Sequence, residues 1–262
     1  MNDAAKSGKE FQKLVLILDA LREEKGCPWD REQDEKSITN YFLEEVYEAV
    51  DAILSEDAQS LAEELGDVLM EVVFLSRINK EKKKFSISKV LEGINKKMVD
   101  RHPHVFANKK IATSERVVNE WNRQKKEEKK RISVLDGLAK CFPALLEAFL
   151  IGKRVSHFGF DWSHPLDALQ KTKEELAEFE KAMQNKKQDE ISKEVGDIFF
   201  SLVNVSRHLG VNPEIALRQT NKKFIQRFKY IEQQLAEQGI NLREASLEEM
   251  DKFWEEAKKK IN

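Results

Sequence analysis

The chain has 262 residues, 47 acidic against 45 basic, for a net charge of −2. That balance gives neither the basic footprint of a nucleic-acid polymer binder nor a field that would hold the chain at an anionic membrane. With 35% charged and 40% hydrophobic residues and only 10 Gly and 5 Pro, the composition favours amphipathic helices over strands, and the length suits two ordinary domains.

Apolar residues recur at helical spacing through Phe11, Leu14, Val15 and Leu18, then stop at Gly26-Cys27-Pro28-Trp29-Asp30, which reads as a loop. A helix over 37–54 is expected to bury Phe42, Val46, Ala49, Val50 and Ile53. The next, over 59–79, would bury Leu61, Leu65, Val68, Leu69, Val72 and Val73. Further helices are expected near 86–101 and 114–130, the last running into a lysine-rich stretch at 125–131 that reads as an exposed helix end and linker. A second half opens near Val134, has its own loop at Gly159-Phe160-Asp161-Trp162, and repeats the order helix, connection, helix, with the second helix over 191–209. Cys27 and Cys141, far apart and without CxxC spacing, suit reduced cytosolic thiols. No apolar run approaches the roughly 18 residues of a membrane span and the N-terminus lacks a signal-peptide core, so a cytoplasmic protein is expected.

The two halves share an acidic constellation. Glu45, Glu48, Glu64 and Asp67 recur as Glu175, Glu178, Glu194 and Asp197, each displaced by 130 positions, and Ser76-Arg77 recurs as Ser206-Arg207. Farther on, Asn95-Lys96-Lys97-x-x-x-Arg101 matches Asn221-Lys222-Lys223-x-x-x-Arg227, and Trp121 precedes a lysine-rich end as Trp254 does. The offsets there are 126 and 133, so the repeat survives small changes in loop length. Two tandem all-α domains, 1–130 and 134–262, account for the pattern.

Residues three or four apart on a helix share a face, so Glu175 and Glu178 point one way, as do Glu194 and Asp197 on the next helix. If the two helices pack antiparallel, four carboxylates converge and repel unless a cation lies among them. A single E-E-x-x-E is ordinarily a solvated helix face. Its recurrence with the same gap and the same Gly-Asp argues for a metal site in each half. Oxygen ligands without clustered His or Cys indicate a hard ion, Mg²⁺ or Mn²⁺. The ferritin-like alternative wants Glu-x-x-His, which is missing here.

A carboxylate-held Mg²⁺ with cations nearby suits phosphoryl chemistry. Lys171 lies one turn before Glu175, and Lys223 and Arg227 are one turn apart on a later helix, placed to bind a triphosphate tail. Trp254 could border a base. A Walker A loop is excluded, because Glu147 stands where Gly152-Lys153 would need its first glycine.

Taken together, Gly26-Cys27-Pro28-Trp29-Asp30, the two carboxylate quartets, Arg101-His102-Pro103-His104-Val105-Phe106 and Gly159-Phe160-Asp161-Trp162 resemble the MazG family of all-α nucleoside triphosphate pyrophosphohydrolases over nearly the whole chain. The resemblance implies two MazG-like helical bundles in tandem. It also implies Mg²⁺-dependent hydrolysis of the α–β phosphoanhydride, NTP or dNTP to monophosphate and diphosphate, with broad base tolerance and a house-cleaning role. A homodimer is similarly implied. On this resemblance Glu175, Glu178, Glu194 and Asp197 look like metal ligands, and Lys171, Lys223, Arg227 and Trp254 like nucleotide contacts. The implied mechanism is attack of a metal-activated water on the α-phosphorus.

The halves differ around the carboxylates. Tyr41 stands where the second half has Lys171; Glu71 and Phe74 stand where it has Ser201 and Asn204, which could hydrogen-bond a sugar or base. The second half is therefore expected to carry most hydrolysis, and the first to be weaker, structural or regulatory. Two other readings are a narrower enzyme acting on dUTP or a phosphoribosyl nucleotide, and a helical module that senses nucleotides without turnover.

Overall fold

The fold is that of a computed structural model, which describes residues 2–107, 113, 117, 133–139 and 141–261. Among the described residues there is no strand, and none of the helices is long and apolar enough to cross a membrane. The chain divides into two compact units, Met1–Gln124 and Lys125–Asn262. Apart from residue 117, the helix expected near 114–130, with Trp121 and the lysine-rich stretch, lies outside the described residues, as do residues 130–132 of the expected junction.

The first unit contains α1 (Asp3–Leu21), α2 (Pro28–Glu32), α3 (Glu35–Leu54), α4 (Ala58–Glu81), α5 (Ile87–Arg101) and α6 (Pro103–Phe106). Its central piece is a hairpin of α3 and α4, with α1 and α5 packed on α4. Local chemistry sets the hairpin. The Asp34 carboxylate accepts from the amides of Lys36 and Ser37, starting α3, and the Asp57 carboxylate accepts from the amides of Gln59 and Ser60, starting α4. Only Ser55, Glu56 and Asp57 separate the two helices, and Glu56 turns the chain with a φ of +56°. So short a connection leaves the helices antiparallel neighbours. Leu18, Ile38, Val73, Phe74 and Ile78 close the core below the hairpin.

Two expectations need correction here. The Gly26–Asp30 segment is not all loop, since Pro28 begins the short α2 at the one helical position where its missing N–H costs nothing. The turn before it requires Gly26, because a Cβ there would stand 2.2 Å from the Leu21 carbonyl oxygen, which already accepts from the Cys27 amide at 2.8 Å. The apolar stripe is also only partly buried. Ala49 and Val73 are enclosed, but Ile53, Leu65 and Leu69 are exposed at 55%, 54% and 42%. Helical period alone marks an apolar face without fixing how much of it one neighbour can cover.

The second unit contains α7 (Ala144–Ser156), α8 (Pro165–Asn185), α9 (Gln188–His208), α10 (Pro213–Glu237) and α11 (Leu247–Lys260). Here α8 and α9 form the hairpin, joined through Lys186 with a φ of +53°. Helix α7 packs on α9, and α10 pairs with α11 around Ile231, Leu235 and Phe253. The hairpin thus appears once in each unit, with a left-handed residue at each turn.

Candidate metal centre

The turns explain why the carboxylates meet. In an antiparallel helix pair, residues equally far from the turn lie at the same height, since both helices rise about 1.5 Å per residue. Glu45 and Asp67 lie eleven residues before and after Glu56, and Glu48 and Glu64 lie eight before and after it. Glu175, Asp197, Glu178 and Glu194 stand in the same relation to Lys186. The E-E-x-x-E and E-x-G-D spacings are therefore mirror images across each left-handed turn.

Three of each four come together. Carboxylate oxygens of Glu45, Glu64 and Asp67 lie within 4.8 Å of one another, as do those of Glu175, Glu194 and Asp197. Two oxygens on one Mg²⁺ at 2.0–2.1 Å stand about 3 Å apart when adjacent and about 4.2 Å apart when opposite. The triads are of the right size for a single cation and consist only of hard oxygen donors. Glu48 and Glu178 are exposed and lie outside the triads, yet their charge still bears on Glu64 and Glu194.

The electrostatics match a set built around positive charge. Desolvation, followed by repulsion from Glu178, Asp197, Glu175 and Glu190, raises the pKa of Glu194, whose Oε2 is buried without a hydrogen-bond partner. Desolvation and neighbouring carboxylates likewise raise Glu45 and Glu64. Glu71 is pushed up to about 7 by burial and then by Glu45 and Asp67. A dication would reverse each of these shifts.

The expected substrate contacts fall into three groups. Lys171 joins the triad, its Nζ lying 2.8 Å from Glu175 Oε1 and 3.6 Å from Glu174 Oε2. Arg227 and Trp254 meet each other on the α10–α11 pair. The Arg227 guanidinium lies 5.8 Å from the Trp254 ring centre and donates to the Ile261 carbonyl at 3.0 Å. Trp254 also packs against Phe224 and the α10–α11 core, and Lys223 is half-buried one turn before Arg227.

Asn204 is the third case. It is buried, its amide donates to the Phe200 carbonyl at 3.0 Å, and its Oδ1 accepts from Arg207 Nε at 3.3 Å. Arg207 in turn forks onto both carboxylate oxygens of Asp161, and His208 Nε2 lies 2.9 Å from the same group. Arg207 holds the Asp161 carboxyl below its ordinary range, with help from His208. This clamp fixes the Gly159–Trp162 loop to α9 and escaped the sequence reading, although Arg207 lay inside the repeat. The equivalent Arg77 turns instead to Asp19 of α1, at 3.0 Å. In the first half the loop is held by Arg22, which donates to the Asp30 and Gln33 carbonyls.

Helix α7 approaches this network closely at Gly152, where a Cβ would stand 2.7 Å from Asn204 Oδ1 and 2.9 Å from Arg207 Nε. Gly152→Ala gains about 0.5–1 kcal/mol of helix preference but forces a shift in a buried, fully engaged amide. Overpacking of about 1–3 kcal/mol is expected to win. The Gly152→Ala variant should unfold at lower temperature than the wild type, and an unchanged or raised Tm would count against the clamp.

An all-α chain that gathers carboxylates from two adjacent helices, once in each unit, falls in the class of helical bundles that hold hard metals between facing helices. The chain belongs to the MazG family: residues 33–106 and 164–231 each match the MazG nucleotide pyrophosphohydrolase domain. It is 39% identical over 254 residues to the nucleoside triphosphate pyrophosphohydrolase/pyrophosphatase MazG of Thermotoga maritima, covering 96% of this chain and 97% of that one. It is 38% identical over 256 residues to the nucleoside triphosphate pyrophosphohydrolase of Escherichia coli K12, covering 95% and 97%. It is also 42% identical over 252 residues to YabN of Bacillus subtilis, covering 95% of this chain but 52% of YabN. Both carboxylate quartets, Lys171, Asn204, Lys223 and Arg227 lie within the matched segments, whereas Trp254 lies beyond them.

Proposed function

We propose that the chain is a nucleoside triphosphate pyrophosphohydrolase that converts NTPs and dNTPs to monophosphates and diphosphate, with hydrolysis centred on the second unit. The observation that carries this is the Glu175–Glu194–Asp197 triad with Lys171 drawn against it, in a chain of this family. The triad would hold Mg²⁺, with Mn²⁺ as a substitute. Bound there, the ion would neutralise phosphate charge and lower the pKa of a coordinated water.

The side chains divide the remaining work. Lys171, now paired with Glu175, is free to turn to a phosphate oxygen once other positive charge faces that carboxylate. Glu178, outside the triad, is the carboxylate left to accept a proton from the attacking water. Lys223 and Arg227 supply charge for the phosphate tail, and Trp254 an aromatic wall for the base. Asn204 reaches a sugar or base only by releasing Arg207. Broad base tolerance and a house-cleaning role fit a site whose recognition is concentrated on phosphate. Cytoplasmic NTP is the expected substrate pool. The exposed Leu176, Phe199, Phe200 and Leu202 on the α8–α9 hairpin support a homodimer, since a second copy would cover them.

Mixed NTPs and Mg²⁺, followed by product analysis, test the reaction. Monophosphate and diphosphate are expected, with broad consumption across bases and no turnover in EDTA. Diphosphate nucleotides and inorganic phosphate would overturn the assignment. Turnover confined to dUTP or a phosphoribosyl nucleotide would narrow it.

A further inference from the structure

The two hairpins are held in register by different means. In the first unit Phe74 and Ile78 of α4 cluster with Ile38 of α3 and Leu18 of α1, so apolar packing fixes how α4 is turned about its own axis. In the second unit the buried residues of the hairpin are small or polar: Ala168, Thr172, Glu175 and Ala182 on α8, and Ser201, Val203 and Asn204 on α9. Side chains of that size present shallow ridges, which interlock poorly and leave the rotation of α9 to directional bonds.

The Asp161 clamp supplies those bonds. Asn204 lies seven residues beyond Asp197 and ten beyond Glu194, so all three share one stripe of α9. Arg207 Nε donates to Asn204 Oδ1 at 3.3 Å, and its two terminal nitrogens grip both oxygens of Asp161. The same carboxylate accepts from the Trp162 amide at 2.9 Å and faces His208 Nε2 at 2.9 Å. The Arg207 side chain is 10% exposed, so the forked pair is shielded from solvent. On the far side α7 closes against Asn204 and Arg207 at Gly152. The first unit lacks this arrangement: Phe74 replaces Asn204, and Arg77, in the place of Arg207, reaches Asp19 on α1.

We propose that Asp161 is a positioning residue for the carboxylates of the second unit: acting through Arg207 and Asn204, it fixes the rotation of α9 that brings Glu194 and Asp197 to Glu175. The inference rests on the metal reading of that triad. Arg207 stands ten residues beyond Asp197, about 15 Å along the axis, so its partner Asp161 acts at a distance from any cation held there. Rotation decides which acids meet, since Glu178 shares the height of Glu194 and still lies outside the triad. Freed from the clamp, α9 can turn and carry Glu194 and Asp197 off Glu175 while the hairpin stays folded.

Mn²⁺ titration of the full chain tests this, read by electron paramagnetic resonance of the free ion where circular dichroism shows each variant folded. If binding needs a non-hydrolysable NTP, every comparison is made in its presence. Glu64→Gln removes a ligand from the first unit, so the remaining site reports the second. In that background Asp161→Asn keeps the shape, loses the charge, and should raise the Kd about two- to thirtyfold, the range for a residue acting through a packed network. Arg207→Met should do the same, and both changes together no more than either alone, because they cut one chain of contacts. In the Glu194→Gln background, which reports the first unit, Asp161→Asn should leave the Kd as it was. Phe160→Ala, on the same loop but 80% exposed, should move neither site. An unchanged second-unit Kd in Asp161→Asn overturns the proposal, and so does equal weakening of both units, which marks a general loss of structure. If Asp161→Asn does not fold, Gly152→Ala, which presses on Asn204 and Arg207 from α7, must weaken the second site alone or the proposal fails. No Mn²⁺ at the second unit with the clamp intact, with or without the NTP, refutes the metal reading itself.

Discussion

In the full chain, Glu194→Gln is expected to slow diphosphate release by more than about 10²-fold, because losing a metal ligand should exceed the 10–100-fold typical of an outer-shell partner. Glu64→Gln, the same change in the first unit, should retain most of the activity. The carboxylates alone do not distinguish the units, as both form a triad within 4.8 Å. Their surroundings do. A transferring phosphoryl group needs cations where its negative charge develops, and the second triad has Lys171 at 2.8 Å from Glu175. The first has Tyr41 in that place and the buried Glu71 beside it. Initial rates of diphosphate release at saturating NTP, over a range of Mg²⁺, measure both variants. Excess Mg²⁺ should partly rescue a lost ligand. Glu178→Ala and Glu48→Ala give a second pair from the opposite helices, with the larger loss again expected in the second unit. If the first-unit change is the more damaging in either pair, the assignment of catalysis to the second unit fails.

Most of the hairpin architecture could be read before any coordinates. Helix period placed α3, α4 and α9 within a few residues, and the shared spacing implied that two helices bring acids to one height. What the spacing did not reveal is which member of each four stays out. Glu48 and Glu178 have the same ladder height as Glu64 and Glu194, but height is only one coordinate, and rotation about each helix axis is set by packing. The same gap explains Ile53, Leu65 and Leu69, apolar at core-like positions yet exposed in the chain by itself. Asn204 shows a different limit. Its type and position suggest ligand contact, but Arg207 and the Phe200 carbonyl occupy its polar atoms, and the Asp161 clamp that holds Arg207 comes from 46 residues away. Long-range side-chain pairing of that kind has no periodicity to detect.

The strongest pH dependence should come from Glu71 in the metal-free chain. Its carboxyl is raised from 4.5 to about 7, first by burial and then by Glu45 and Asp67. A raised folded-state pKa means that the unfolded chain releases this proton first as pH increases. The stability Glu71 contributes is therefore complete below about 4.5, declines between 4.5 and 7, and is lost above that, a swing of at most about 3 kcal/mol. Glu71→Gln keeps the shape of the neutral acid and removes the titration. Urea unfolding of the EDTA-treated full chain should thus show the variant gaining on the wild type by about 2 kcal/mol between pH 5.5 and 8. Saturating Mg²⁺ should reverse the ranking at pH 8, because a dication stabilises the ionised Glu71 and has less to bind in the variant. A gap that stays constant with pH would mean that Glu71 is ionised in the folded chain throughout this range, and that the acid cluster is solvated rather than built around a cation.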